Sequence, residues 1–278
     1  MTVAQLCLKA IQIRKMLLAM IYHAKAGHTG GALSSADILT ALYYGVMRID
    51  PKNPSLPERD RFILSKGHSV EGYYAILADM GFIDIGELDS FSDYQTRLIG
   101  HPNNKVPGVE MNTGALGHGL PIAVGMALGL LMDKSDARVF VLMGDGELAE
   151  GSVWEGAMAA AHYKLNNLTA IIDRNRLQIS GTTENVMALE PLAAKWQAFG
   201  WQVEEVDGHD MELLVDALKR CPLANDKPSL LIANTIKGKG VAEMENMAKW
   251  HHGVPDEALY NRAIAQLDAL AKELEANG

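Results

Sequence analysis

The stretch ARVFVLMGDGELAEG, residues 137–151, decides the fold. Residues 137–143, apolar apart from Arg138 and rich in β-branched valine, have the pattern of a parallel strand covered on both faces. Gly144-Asp145-Gly146 follows at once, and residues 151–164 then read as a helix. In an open α/β sheet, ligands collect beyond the carboxyl ends of the strands, and the next helix turns its free N–H groups toward the same crevice. Residues 168–174, LTAIIDR, repeat the strand pattern, and Asn175 ends it. A carboxylate, an amide oxygen and nearby main-chain carbonyls then converge at neighbouring strand ends. These are hard oxygen donors, suited to Mg²⁺ or Ca²⁺ bridging two phosphates. An isolated Gly-Asp-Gly is more often a tight turn, and a lone Asn at a strand end a turn residue. The succession of strand, helix, strand and Asn favours the ligand reading.

Outward from this centre, residues 201–207 and 229–235 repeat the strand pattern with a helix at 210–219 between them, and residues 61–65 form a shorter strand. Helices are expected over 3–25, from caps at Ser34 and Ser35 to about Tyr44, over 69–80 and 119–132, and over 256–276 as an exposed tail. GHTGG at 27–31 reads as a loop, as do the three-proline stretch 50–60 and the Gly-, Pro- and Asn-rich stretch 86–113. Strands alternating with helices imply an α/β fold, a doubly wound parallel sheet with helices on both faces. No repeat and no clean boundary interrupts it, so residues 1–278 are expected to form one domain.

A net charge of −9 argues against a nucleic-acid or anionic-membrane surface, which would need clustered cations. It does not exclude phosphate, which backbone amides and a metal can hold inside an acidic protein. The two cysteines, Cys7 and Cys221, have no paired spacing, so no disulfide framework is expected and the cytoplasm is the expected compartment. The apolar stretch 11–22 is interrupted by Arg14 and Lys15, and no run approaches the roughly 18 apolar residues of a membrane span.

Five of the nine histidines lie in glycine-containing loops: His28 in GHTGG, His68 in SKGHS, His101 in GHPN, His118 in GALGHGL and His252 in HHG. Glycine permits close ligand approach, and imidazole can donate, accept or shuttle a proton near neutral pH. One such histidine is usually solvated, but several in one apparent site point to chemistry. His209 beside the helix cap Asp210 needs no ligand, and His23 and His162 sit in helical patterns.

Gly-Asp-Gly followed about thirty residues later by Asn is the thiamine diphosphate fingerprint, and GDGELAEG with DRNRLQISG resembles its transketolase form. RFILSKGHS is similar to the family's RDRFVLSNGHG, GHTGG to GHPG, GHPN to GHPE, and NTGALGHGLPIAVGMA to TTGPLGQGIANAVGMA. The resemblance implies that Asp145 and Asn175 bind the metal by side chain and Leu177 by its carbonyl. Asn175 would also touch the cofactor. Gly146 and His68 would contact the cofactor diphosphate, Gly114, Ala115 and Leu116 would cradle the cofactor, and Glu150 would serve the cofactor side. His28 would meet the substrate at the reacting carbon, His101 its hydroxyls, and His252 both diphosphate and substrate. His251 could take the last place with a one-residue shift. Glu150 and Glu155 match the acidic pair that links active sites across the transketolase dimer, though acids near a helix N-terminus are also favoured by the dipole. His118 departs from the Gln of many transketolases. TIKGKG at 235–240 is closer to split transketolases and deoxyxylulose-phosphate synthases, and Lys237 and Lys239 also read as solvated loop charges.

In transketolases, the glutamate that activates the cofactor and the arginines that hold substrate phosphate lie in a second domain. The resemblance covers only the diphosphate-binding half, so it implies a partner subunit carrying the pyrimidine domain, in an α₂β₂ assembly. It also implies transfer of a two-carbon ketol group between small sugars or sugar phosphates, with His28, His101 and His252 as the catalytic histidines. The alternatives are the α subunit of a 2-oxo acid dehydrogenase and a catalytically silent diphosphate-binding remnant.

Overall fold

The computed structural model describes residues 1–277. In chain order the helices and strands are α1 (Val3–Ala24), α2 (Thr29–Ala41), β1 (Arg61–Leu64), α3 (Val70–Met80), α4 (Gly119–Met132), β2 (Val139–Gly144), α5 (Gly151–His162), β3 (Leu168–Arg174), β4 (Leu177–Gln178), β5 (Gly181–Thr182), α6 (Thr183–Val186), α7 (Leu192–Ala198), β6 (Gln202–Asp207), α8 (Met211–Lys219), β7 (Ser229–Asn234) and α9 (Glu257–Asn277). Five strands form one parallel sheet in the order β1-β2-β3-β7-β6, and β4 and β5 make a small antiparallel hairpin. The chain steps outward through β1, β2 and β3, runs to the far edge as β6, and returns beside β3 as β7. The carboxyl ends of β2, β3 and β7 therefore lie side by side.

Alternation along the strands divides the core in two. Phe62, Leu64, Phe140, Leu142, Ile171 and Leu231 face α1, α2, α3 and α8. Ile63, Val141, Met143, Ala170, Ile172 and Ile232 face α4, α5 and α7, where Trp196 and Trp201 fill the wide end. Helices thus cover both faces, which is why these strands read as unbroken apolar runs. Among the described residues, no helix is long and apolar enough to cross a membrane.

Three expectations change. Helix α2 begins at Thr29, not at a cap on Ser34 or Ser35, and all of it is buried. The two hydroxyls bond back to the Gly31 carbonyl at 3.1 and 2.8 Å, in the manner of Ser within a helix. Gly30 and Gly31 are helical, and their lack of a side chain serves packing: a Cβ on Gly31 would stand 2.7 Å from Ser69 Oγ, and one on Gly30 2.9 Å from the Trp250 carbonyl. The tail helix α9 is docked rather than exposed all round. Leu259, Ala263 and Leu267, spaced one helical turn apart, join Leu17, Leu18 and Trp250 in a third apolar cluster. Residues 176–200, unassigned from sequence, hold β4, β5, α6 and α7.

Leu267 is fully buried on the docked face of α9. Leu267→Ala is expected to cost about 2–5 kcal/mol in denaturant unfolding. A change within about 0.5 kcal/mol, as for a surface position, would contradict the docking of α9.

Candidate active site

The ends of β2, β3 and β7 open into a cavity of about 380 Å³ lined by Lys66, His68, Leu116, Asp145, Gly146, Glu150, Asn175, Leu177, Lys237 and His251, among others. Asp145 stands just past β2, nearly fully buried. Its Oδ1 accepts from the Gly146 N–H at 2.8 Å, and its Oδ2 accepts from the Arg176 N–H at 2.5 Å and from Arg174 Nη1 at 3.2 Å. Arg176 reaches that position with a left-handed φ of 64°, an uncommon conformation for a residue with a side chain. Asn175 Oδ1 accepts from the Leu177 N–H at 3.1 Å, which turns the chain so that the Leu177 carbonyl faces the same space, 3.4 Å from Lys237 Nζ.

Behind the cavity lies a buried ion pair, Lys66 with Asp173. Asp173 also accepts from Ser34 Oγ at 2.6 Å and from the Thr235 hydroxyl, and Lys66 Nζ donates to the Gly31 carbonyl at 2.9 Å. Glu147 clips a second set of loops. It accepts from the Gly117 N–H at 2.9 Å, the Gly144 N–H at 3.0 Å and the Ser65 hydroxyl, tying the ends of β1 and β2 to the 113–118 loop. That loop runs close. A Cβ on Gly114, at φ 140°, would stand 2.6 Å from the His101 ring, and one on Gly67 would meet Gly114 N at 2.9 Å.

The histidine loops converge. His28 is the hub, its ring centroid 5.2 Å from His68, 6.2 Å from His101, 5.7 Å from His251 and 4.5 Å from His252. His251 stacks on His68 at 5.0 Å and lies 3.3 Å from Lys237 Nζ, and it is His251 that lines the cavity. His252 is exposed beside His28 and is not part of that lining. The turn Ala248–His251 places His251 in the cavity lining, and His252 stands next to it beside His28. His101 is held by Tyr74, whose hydroxyl donates to its carbonyl at 2.8 Å. His118 is exposed and turns back on the Leu116 carbonyl, 3.1 Å away. His209 is structural: Nδ1 bonds Asp37 at 2.6 Å and Nε2 accepts from the Ile236 N–H at 2.8 Å. Glu150 reaches the cavity rim, Glu155 is exposed on α5 away from it, and Gly114 and Ala115 lie outside the lining.

Sequence reasoning does not single out two lysines and a glutamate that belong to the site. Lys237 lies three residues past β7, and extending the strand-end rule to the loop after each strand would have found it. Lys66 sits after β1 in the same way. Glu147 carries no such signal, since its work is done through backbone amides of distant loops.

Charge is crowded here in both signs. Burial raises the Asp145 carboxyl above its usual range, and the neighbouring Asp173 adds to this. Burial and then Lys66 bring the Lys237 ammonium down to about 8. Burial lowers His28 to about 4, with His252, His101 and Lys237 adding, and lowers His251 to about 3, with Lys237 and His28 adding. Burial and Lys66 likewise hold His68 well below its ordinary value. His28, His68 and His251 are thereby held neutral at pH 7, each ring offering one donor and one acceptor.

Among the described residues no three His, Cys, Asp or Glu side chains converge as a metal cage. The cavity instead offers one carboxylate, one amide oxygen and one carbonyl, which suit a hard cation that completes its octahedron with ligand oxygens and water. A divalent cation would relieve the repulsion between Asp145 and Asp173, and an anion that between Lys66 and Lys237. A metal-bridged diphosphate fits both.

The sheet and crevice define an α/β protein that binds an anionic ligand at its strand carboxyl ends. Residues 4–268 match the family described as transketolase, thiamine diphosphate binding domain, and the chain belongs to it. It is 51% identical over 275 residues to a subunit of the apulose-4-phosphate transketolase of Phocaeicola vulgatus, covering 99% of this chain and 98% of that one. It is 43% identical over 257 residues to a subunit of the 6-deoxy-6-sulfo-D-fructose transketolase of a Clostridium species, covering 92% and 94%. The transketolase of Leishmania mexicana superposes with a TM-score of 0.85 at 28% identity over 99% of this chain but only 46% of its own length.

Because unfolded imidazoles take up protons near pH 6.5 and His28 and His251 only near 4 and 3, the unfolded chain binds more protons in that window, and stability falls as pH drops through it. In ¹³C-labelled histidine spectra, both rings are expected to stay neutral at pH 5.5. Titration midpoints near 6.5 would show that the cluster is solvated.

Proposed function

We propose that the chain is the diphosphate-binding subunit of a two-chain transketolase, moving a two-carbon ketol group from an anionic ketose to an aldose. The observation that carries this reading is the cavity at the ends of β2, β3 and β7, which brings the oxygen donors Asp145, Asn175 and Leu177 together with Lys237, His68 and His251. Asp145, Asn175 and the Leu177 carbonyl would hold Mg²⁺. Gly146, His68, Lys237 and His251 would hold the diphosphate, with Leu116 against the cofactor and Gly114 and Ala115 shaping its loop. Bound thiamine diphosphate supplies the carbon nucleophile that takes up and hands on the ketol unit.

This chain's part is to orient and to move protons. Neutral His28, at the hub, can take a proton from a donor hydroxyl and return it to the acceptor carbonyl oxygen. His101 and His252 flank it and would bond the sugar hydroxyls. Leu116 and the β4–β5 hairpin line the same cavity. The relatives that match nearly end to end are named as single subunits of enzymes for a phosphorylated and a sulfonated ketose. Their names support both a partner chain, here one carrying a pyrimidine domain in an α₂β₂ assembly, and an anionic donor whose charge is read by that partner. Glu150 and Glu155 are assigned to contacts between copies. A single domain and a cytoplasmic location complete the proposal, the latter fitting the two unpaired cysteines.

Mixing the chain with its partner, thiamine diphosphate and Mg²⁺ should release an aldose phosphate from a ketose phosphate donor, with neither chain active alone. Oxidative decarboxylation of a 2-oxo acid instead would move the chain to the dehydrogenase class. Asp145→Ala should keep the fold and lower Mg²⁺-dependent thiamine diphosphate affinity in calorimetry by more than the roughly 10–100-fold that losing an outer-shell partner costs. Unchanged affinity would remove Asp145 from the metal site.

A further inference from the structure

Glu71 is fully buried in the first turn of α3, beneath the histidine cluster. Its Oε1 accepts from the His28 N–H at 2.8 Å, and its Oε2 has no hydrogen-bond partner. The chain is pressed onto it: a Cβ on Gly27 would stand 2.7 Å from Glu71 Oε1 and 2.7 Å from Ile21 Cγ1. Two residues earlier, Ser69 Oγ is likewise buried without a partner. A buried acid with a free oxygen costs stability, and such atoms persist where the surrounding structure enforces them for a purpose. Here the constrained object is the Gly27-His28 backbone, which carries the ring at the centre of the cluster.

We propose that Glu71 is a positioning residue for His28, its carboxyl fixing the His28 amide and so the orientation of the imidazole toward the donor sugar. The proposal rests on the reading that His28 serves ketol transfer. A carboxylate suits the place geometrically, since the His28 amide at the start of α2 donates to it. Burial opposes the charge and raises the Glu71 carboxyl to about 7, with the His28 N–H and Lys66 pulling the other way. The groups facing it are His28 at the start of α2, Lys66 after β1, the apolar Ile21 of α1, and Tyr74 one turn along α3, whose hydroxyl feels its charge. The hydrogen bond to the His28 amide is therefore expected to alternate between a carboxylate and a carboxylic acid acceptor close to neutral pH.

The test uses backbone amide spectra of the full chain and kinetics of the two-chain holoenzyme. In the wild type the His28 amide proton should shift with pH, with a midpoint near 7, and Glu71→Gln should hold it pH-independent. In the holoenzyme, Glu71→Met should lower kcat/KM for the ketose donor on the order of 10²-fold while thiamine diphosphate affinity stays within about twofold. Glu71→Gln, which retains an acceptor oxygen, should recover most of that loss. A His28 amide indifferent to pH in the wild type, the same inflection in Glu71→Gln, or wild-type kcat/KM in Glu71→Met would each overturn the proposal. If the two-chain enzyme shows no ketol transfer at all, the functional reading fails, and the amide titration still decides whether Glu71 holds His28.

Discussion

The buried pair between Lys66 and Asp173 is the contact on which the rest of the site depends. Asp173 ends β3, Lys66 follows β1, Thr235 follows β7, and Ser34 lies in α2, so one carboxylate gathers four elements that are far apart in sequence. Burial alone would raise the Asp173 carboxyl, but Lys66, Ser34 and Thr235 hold it below the usual range. Such a pair adds little net stability compared with an apolar replacement, yet removing one partner leaves an uncompensated charge worth about 3–5 kcal/mol. Its value is in placement. It presents the starts of α2 and α3, and hence His28 and His68, at the mouth of the crevice that β2 and β3 form.

The same pair sets up the electrostatic demand of the cavity. Asp173 sits beside Asp145, and Lys66 beside Lys237, so each charged wall repels its own sign. Arg174 and the Arg176 amide restrain Asp145, and Lys237 contacts the His251 ring. A cation alone would satisfy one wall and an anion alone the other. A metal-bridged diphosphate would satisfy both.

The sheet and its ligand crevice were legible in the sequence because both depend on local pattern. Continuous apolar runs gave β2, β3 and β7, and a polar residue just past each run marked the strand end. The helical start of α2 was hidden because Gly30 and Gly31 suggest a turn, whereas their purpose is to let α2 approach Ser69 and Trp250. The docking of α9 was hidden by its many charges, which mask a narrow stripe of Leu259, Ala263 and Leu267. His251 and His252 could not be told apart by pattern, since only the preceding 3₁₀ turn decides which ring faces inward. Glu71 and Glu147 were silent for a further reason: a glutamate on a helix or in a turn looks solvated until distant backbone amides are seen to converge on it.

The central claim is that the ends of β2 and β3 hold the metal of a diphosphate cofactor. Anomalous diffraction from crystals grown with thiamine diphosphate and Mn²⁺ in place of Mg²⁺ tests it most directly. The account predicts a single strong peak bounded by Asp145, Asn175 and the Leu177 carbonyl, with the diphosphate in the same cavity. A fully occupied metal or diphosphate bound elsewhere on the chain, with this cavity filled by water, would contradict it.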